Sequence, residues 1–206
     1  MFRRGEVYEN PVTGECAVVR VGTDETAGAL LVVDLYVSPG GRVAAAHYHP
    51  TITETFTVVR GRVELMLNER QTIAVPGASI TVAPGVVHDW WNAGSGEAQV
   101  RVEIAPAARF EAAIRNTFGL AQDGKTDSKG MPSLLQLALF AREFDDVMRF
   151  TRPPRLLQQV LFALLTPIAR LCGYRGSYPE YLVRPPSSIV SFDEDRRPSP
   201  IFSGHR

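Results

Sequence analysis

Two runs of this sequence decide its fold. The first is Gly41-Arg42-Val43-Ala44-Ala45-Ala46-His47-Tyr48-His49, followed by Glu54 and Gly61. The second is Pro84-Gly85-Val86-Val87-His88-Asp89-Trp90-Trp91-Asn92. Two histidines at i and i+2 point the same way on a β-strand, where side chains alternate between faces. On a helix they would diverge. His-Tyr-His therefore reads as one strand aiming two imidazoles at one point. Glu54 adds a carboxylate from the start of the next strand, and His88 adds a third imidazole from a later one. Three neutral nitrogens and one oxygen suit a divalent first-row metal (Fe, Mn, Ni, Cu or Zn) with positions left open. The chain has four histidines, and the one outside these runs, His205, is the penultimate residue. A lone histidine reads as a surface or satisfied core residue. Three with a glutamate at these intervals read as a metal site.

The spacing Gly41-x5-His47-x-His49-x4-Glu54-x6-Gly61 resembles the first motif of the cupin superfamily at every position. The family's second motif, Gly-x5-Pro-x-Gly-x2-His-x3-Asn, is similar to Gly77, Ala83, Gly85, His88 and Asn92 here. Ala83 stands where the family has proline, with Pro84 beside it. Pro84 fixes its own φ and pushes Ala83 into extended geometry, so the turn is expected to survive. The resemblance spans residues 29–104. It implies a mainly β fold, a double-stranded β-helix or jelly-roll barrel, with metal held by His47, His49, Glu54 and His88. It is specific for fold and metal binding and says little about the reaction.

The rest of the chain agrees with that frame. Residues 6–10 and 15–21 flank Pro11-Val12-Thr13-Gly14 and read as a hairpin. Residues 29–38 are rich in Val and Leu and read as a buried strand. Residues 53–59, 62–67, 71–75, 79–82 and 99–104 follow as short strands between Gly and Pro turns, the pattern of an antiparallel sandwich or barrel. No internal repeat is visible, so one barrel is expected. At Pro106 the period changes. Phe110, Ile114 and Phe118 recur at i, i+4, i+8 and predict a helix over 107–118. Residues 120–132 read as a solvated connector rather than a lid. A second helix is expected from Ser133 to about residue 150. A third begins at Pro153-Pro154, which suits a first helical turn, and ends near Gly173.

The third helix is unusually apolar: Arg170 is the one charge between Leu156 and Cys172. Leu157, Val160, Leu161, Leu164, Ile168 and Leu171 share a face, and Pro167 should kink the helix. An interfacial membrane anchor is one reading. The favoured reading packs that face on the second helix, the barrel or a second subunit. The expected organisation is therefore a barrel at 1–105, a C-terminal α-helical extension at 106–183 and a disordered tail at 184–206.

At 206 residues with a formal charge of zero, the chain shows no general attraction to nucleic acid or anionic membrane. Cys16 and Cys172 form no short-spaced pair and read as buried inert thiols in a reducing, cytoplasmic setting. Residues 1–6 carry basic groups with no apolar run behind them, unlike a signal peptide. A homodimer is expected.

Strand phase puts Phe56 and Val58 on the ligand face with Glu54, Trp90 and Asn92 with His88, and Val43 and Ala45 below His47. These predict a mostly apolar pocket with an aromatic wall, in which Phe56, Val58, Trp90 and Asn92 contact substrate. No Arg or Lys falls in phase beside the metal, where a sugar phosphate or oxalate would need one. Four protein ligands on an octahedral ion leave two sites, for a substrate oxygen and for dioxygen. Among metal cupins this resembles the dioxygenases of aromatic or enol-type compounds. Glu54 doubles as the proton-transfer candidate. The residues equally allow a non-catalytic metal or small-ligand binding protein, or a redox-neutral isomerase or lyase.

Overall fold

The computed structural model describes residues 1–107 and 109–192, apart from the side chains of Val43 and Ala44. Alternating apolar and polar residues drive the first half into short antiparallel strands. β1 (Glu6–Asn10) and β2 (Glu15–Val21) form the hairpin, and β3 (Leu31–Val37) carries a nearly continuous buried run. β4 (Arg42–Tyr48) holds the His-Tyr-His triplet through Tyr48, and β5 (Thr53–Arg60) holds Glu54. Next come β6 (Val63–Leu67), β7 (Arg70–Ala74), β8 (Ser79–Val82), β9 (His88–Asn92) and β10 (Ala98–Ala105).

With two short late strands, β11 (Arg149–Phe150) and β12 (Ser188–Ile189), these make two sheets. One runs β12-β1-β2-β3-β10-β5-β8 and the other β11-β4-β9-β6-β7. All recorded pairings are antiparallel, and the apolar core lies between the sheets. β5 shows why. Glu54, Phe56 and Val58 are buried, while Thr55 and Thr57 turn outward and meet the hydroxyls of Thr81 and Ser79 on β8. The fold is a mainly β jelly-roll barrel followed by α-helices.

The helices depart from expectation in three places. α1 (Phe110–Gln122) starts later than expected and runs through the first residues of the expected connector. α2 (Leu134–Glu143) has the predicted N-cap, Ser133, whose hydroxyl accepts from the Gln136 N–H. It stops at Glu143 instead of continuing to 150. The chain turns at Asp145, whose carboxylate takes Arg149 and Arg155, and enters β11. There Arg149 pairs opposite Tyr48 and Phe150 opposite His47. An exposed β4 edge offers unpaired backbone groups, and satisfying them outweighs the local helical period.

α3 (Arg155–Leu171) passes through Pro167 and packs on α2, but not with the face the sequence suggests. Gln158, Phe162, Thr166 and Ala169 are buried, whereas Leu157, Val160, Leu164, Ile168 and Leu171 are exposed. Gln158 explains the rotation: its Nε2 donates to the carbonyls of Phe150 and Pro153, pinning the polar side of the helix inward. After α4 (Pro179–Leu182), residues 184–192 are not the expected disordered tail, because β12 pairs with β1. The rest of that expectation, 193–206, lies outside the described residues. Cys16 is partly buried, and burial pushes its thiol up to about 12. Cys172, expected buried, is exposed.

Candidate metal centre

The strand registers bring the four predicted ligands together. His47 on β4 lies directly across from His88 on β9. His49 follows at the end of β4, and Glu54 opens β5 on the opposite sheet. The turn before His88 survives its alanine: the Val86 N–H donates to the Ala83 carbonyl across Pro84 and Gly85. Gly85, at φ +79, supplies the left-handed residue that such a turn needs after proline.

One donor atom from each of His47, His49, Glu54 and His88 lies within 4.8 Å of the others, and all four residues are buried. Each imidazole is oriented from behind. Nδ1 of His47 lies 2.7 Å from the Ala45 carbonyl, Nδ1 of His49 2.7 Å from that of Val147, and Nδ1 of His88 3.1 Å from that of Val86. A carbonyl oxygen only accepts, so the proton sits on Nδ1 and the Nε2 lone pair faces inward. Nε2 of His49 and of His88 stand 3.1 and 2.9 Å from Glu54 Oε2. Even so, both are buried without a hydrogen bond of acceptable geometry. That is how donors stand when they face a common point rather than one another. Ligands about 2.1 Å from one centre lie about 3.0 Å apart when adjacent. The cluster therefore fits a divalent metal on its own geometry; which metal is left open by the chemistry of three imidazoles and a carboxylate.

The electrostatics agree. Burial, with the charges of His88 and His49 behind it, pushes the His47 imidazole down to about 3, so it is neutral. Burial alone would raise the Glu54 carboxyl, but contacts from His49 and His88 outweigh it and hold the group well below the usual range. Burial would likewise lower His49, and the Glu54 carboxylate outweighs it upward. A divalent metal facing the inward Nε2 lone pairs would meet the Glu54 carboxylate as the cation and keep His49 neutral.

The ligands open onto a cavity of about 110 Å³ between the sheets. Phe56 and Trp90 line it, with ring centroids 5.9 Å apart. Val58 and Asn92 share their faces but do not line the cavity, which corrects their expected position. Asn92 is buried and occupied: its Nδ2 donates to the carbonyls of Val37 and Gly96, and its Oδ1 accepts from the Gly94 N–H. Alternation fixes which face a side chain takes, not how deep along the barrel it falls. Ala45 lines a neighbouring cavity rather than this one, and Val43 lies outside the described side chains. No Arg or Lys is among the described residues that line this cavity, while Lys129 lines the adjoining one.

Three features were not foreseen. The helical extension builds part of the site: Phe110 sits with its ring centroid 5.7 Å from that of His49, and Val147 supplies the carbonyl behind His49. Glu15, on β2, is a buried carboxyl in the cavity wall. Burial pushes it up to about 7, partly offset by the Thr13 hydroxyl, which donates to its Oε2. Asn10 also approaches Oε2, and Oε1 has no partner among the described residues. The signal was present: Glu15 is in phase with Ala17 and Val19, an acid on an apolar strand face. Finally, a second cavity of about 110 Å³ shares Glu15, Ile114, Thr117, Phe118 and Met148 with the first and extends under residues 126–132. The expected connector therefore walls an internal space.

The family model described as "Cupin domain" matches residues 34–104. No curated protein matches the chain. Among solved structures, KdgF from Halomonas sp. is similar at 18% identity and TM-score 0.40, over 45% of this chain and 78% of that one. A sugar phosphate isomerase of the cupin superfamily from Silicibacter pomeroyi is similar at 22% identity and TM-score 0.41, over 50% and 69%. A predicted oxalate decarboxylase from Thermotoga maritima is similar at 17% identity and TM-score 0.44, over 51% and 98%.

Proposed function

With the barrel of this chain a member of the cupin superfamily, we propose that the protein is a metal-dependent oxidoreductase of the dioxygenase type, acting on a small apolar substrate that carries one or two oxygens. The observation behind this reading is the cavity between the sheets, where four ligand residues face largely apolar walls with no cationic side chain among its described lining. A substrate whose recognition depends on phosphate or two carboxylates would find no partner there.

A bound divalent metal held by His47, His49, Glu54 and His88 would supply a Lewis acid with open positions for a substrate oxygen and for dioxygen. The chain's own residues do the rest. Phe56 and Trp90 pack on the apolar body of the substrate and orient it. Phe110, Ile114 and Phe118 of α1, with Val147, form the part of the wall that the extension contributes. Glu54 is the carboxylate that can accept a substrate proton at Oε1, the oxygen not shared with His49 and His88. Glu15, protonated at and below about pH 7, can donate from Oε1 to a second substrate oxygen.

One observation favours a second reading. Two carboxyls whose surroundings push them in opposite directions, Glu54 down and Glu15 up, make a base and an acid in one cavity. That pair suits a redox-neutral isomerase or lyase. Oxygen uptake separates the readings, measured on iron- and manganese-loaded protein across phenolic, flavonoid and diketone compounds. Consumption of oxygen with one of them, abolished in Glu54→Gln, supports the dioxygenase. Isomerisation or cleavage without oxygen supports the second reading, and saturable binding without turnover leaves a metal-dependent binding protein.

A further inference from the structure

The long apolar face of α3 turns away from the protein. Leu171 is 89% exposed, Leu156 75% and Leu164 66%, and Leu157, Val160 and Ile168 are each at least half exposed. Single exposed leucines are ordinary, but a continuous stripe along a helix marks a surface that something covers. The stripe is not an accident of a loosely placed helix. Gln158, Phe162, Thr166 and Ala169 fix the opposite side, and the two hydrogen bonds from Gln158 set the rotation.

The charge along the stretch of chain that carries the stripe has one sign. Residues 147–179 contain five arginines and no acidic residue or lysine. Arg149 and Arg155 are taken by Asp145. Arg152, Arg170 and Arg175 are exposed and make no ion pair among the described residues. The acids just before this stretch, Glu143, Asp145 and Asp146, are each engaged by an arginine. A second copy meeting this face across a twofold axis would bring the same arginines to the seam, because each contact is repeated in reverse. No carboxylate of this stretch would be there to meet them. No helix among the described residues is long and apolar enough to cross a membrane. A leucine stripe flanked by arginines suits a helix lying in the plane of an anionic bilayer surface.

We propose that α3 is an interfacial helix that docks this chain on an anionic lipid surface, with its leucines among the acyl chains and Arg152, Arg170 and Arg175 on the lipid phosphates. This docking does not depend on the chemistry of the metal centre. It is tested by flotation of the full-length, metal-loaded protein with two kinds of vesicle: phosphatidylcholine alone, and phosphatidylcholine with phosphatidylglycerol in equal parts. Adding the anionic lipid should raise the partition coefficient roughly a hundredfold at low salt, about fivefold per arginine. High salt should remove most of that gain. The Leu156→Gln, Leu164→Gln, Leu171→Gln triple variant changes only exposed side chains, so it should keep the wild-type melting temperature and lose flotation. The Arg152→Glu, Arg170→Glu, Arg175→Glu variant should lose the preference for anionic vesicles. Wild-type protein that stays in the bottom fraction, or that floats equally on both vesicles, overturns the proposal. So does a wild-type dimer in sedimentation that the leucine variant converts to monomer.

Discussion

Glu15→Gln tests the buried carboxyl in the cavity wall. Moving that carboxyl from its ordinary 4.5 to about 7 disfavours its charged form by about 3 kcal/mol. The sign follows from proton counting. Between those two values the folded chain holds a proton that the unfolded chain has released, so stability falls as pH rises through the window. The contribution is fully present below about pH 4.5 and lost above about pH 7. Glutamine keeps the shape and can still accept from Thr13, but it does not titrate. Against that variant, wild-type protein should lose about 2.5 kcal/mol of stability between about pH 5 and pH 8. Urea unfolding of both proteins at each pH, compared as a difference, cancels the titration of groups they share. Parallel profiles would mean that Glu15 is ionised in the folded chain. Its role as a hydrogen-bond donor to substrate would then fall.

The extension should matter to the metal. Phe110→Ala removes the ring beside His49 and should weaken metal binding about tenfold in a chelator competition, since groups that orient a ligand commonly carry that much; unchanged affinity would make the extension a mere cover. Asp34 is a control on the outer face of the barrel, fully buried and bound by Arg20 and Arg101. Asp34→Ala should cost about 3 kcal/mol in denaturant unfolding while leaving one metal per chain; loss of metal would show that the barrel cannot hold the site without that cluster. Trp90 is buried against Phe56, so Trp90→Ala should cost about 3–5 kcal/mol of stability. Trp90→Phe is therefore the variant for substrate work and should raise KM more than it lowers kcat. A fall in kcat alone would move Trp90 from binding into the chemistry.

Much of the barrel was legible because the side-chain period of a strand leaves a clear trace. His-Tyr-His shows its strand in three letters, and Glu54, Phe56 and Val58 alternate cleanly with threonines. What was not legible had physical reasons. β11 is two residues long and exists because β4 needs an edge partner, a demand that no local pattern around 149 expresses. The carbonyl of Val147 orients His49, and a backbone group has no signature in sequence. The rotation of α3 is set by Gln158 reaching two carbonyls of the preceding turn, which outweighs the burial that its leucines would favour. Glu15 was readable, as an acid in phase with Ala17 and Val19, but its neighbours on α1 come from far along the chain.

The central claim is that His47, His49, Glu54 and His88 hold one metal ion. Elemental analysis of anaerobically purified protein, run beside His49→Ala and His88→Ala variants checked for folding by circular dichroism, addresses it most directly. The account predicts one equivalent of a divalent first-row metal per wild-type chain and almost none in either folded variant. A metal-free wild type that takes up no ion on titration, or equal metal content in all three proteins, would contradict it.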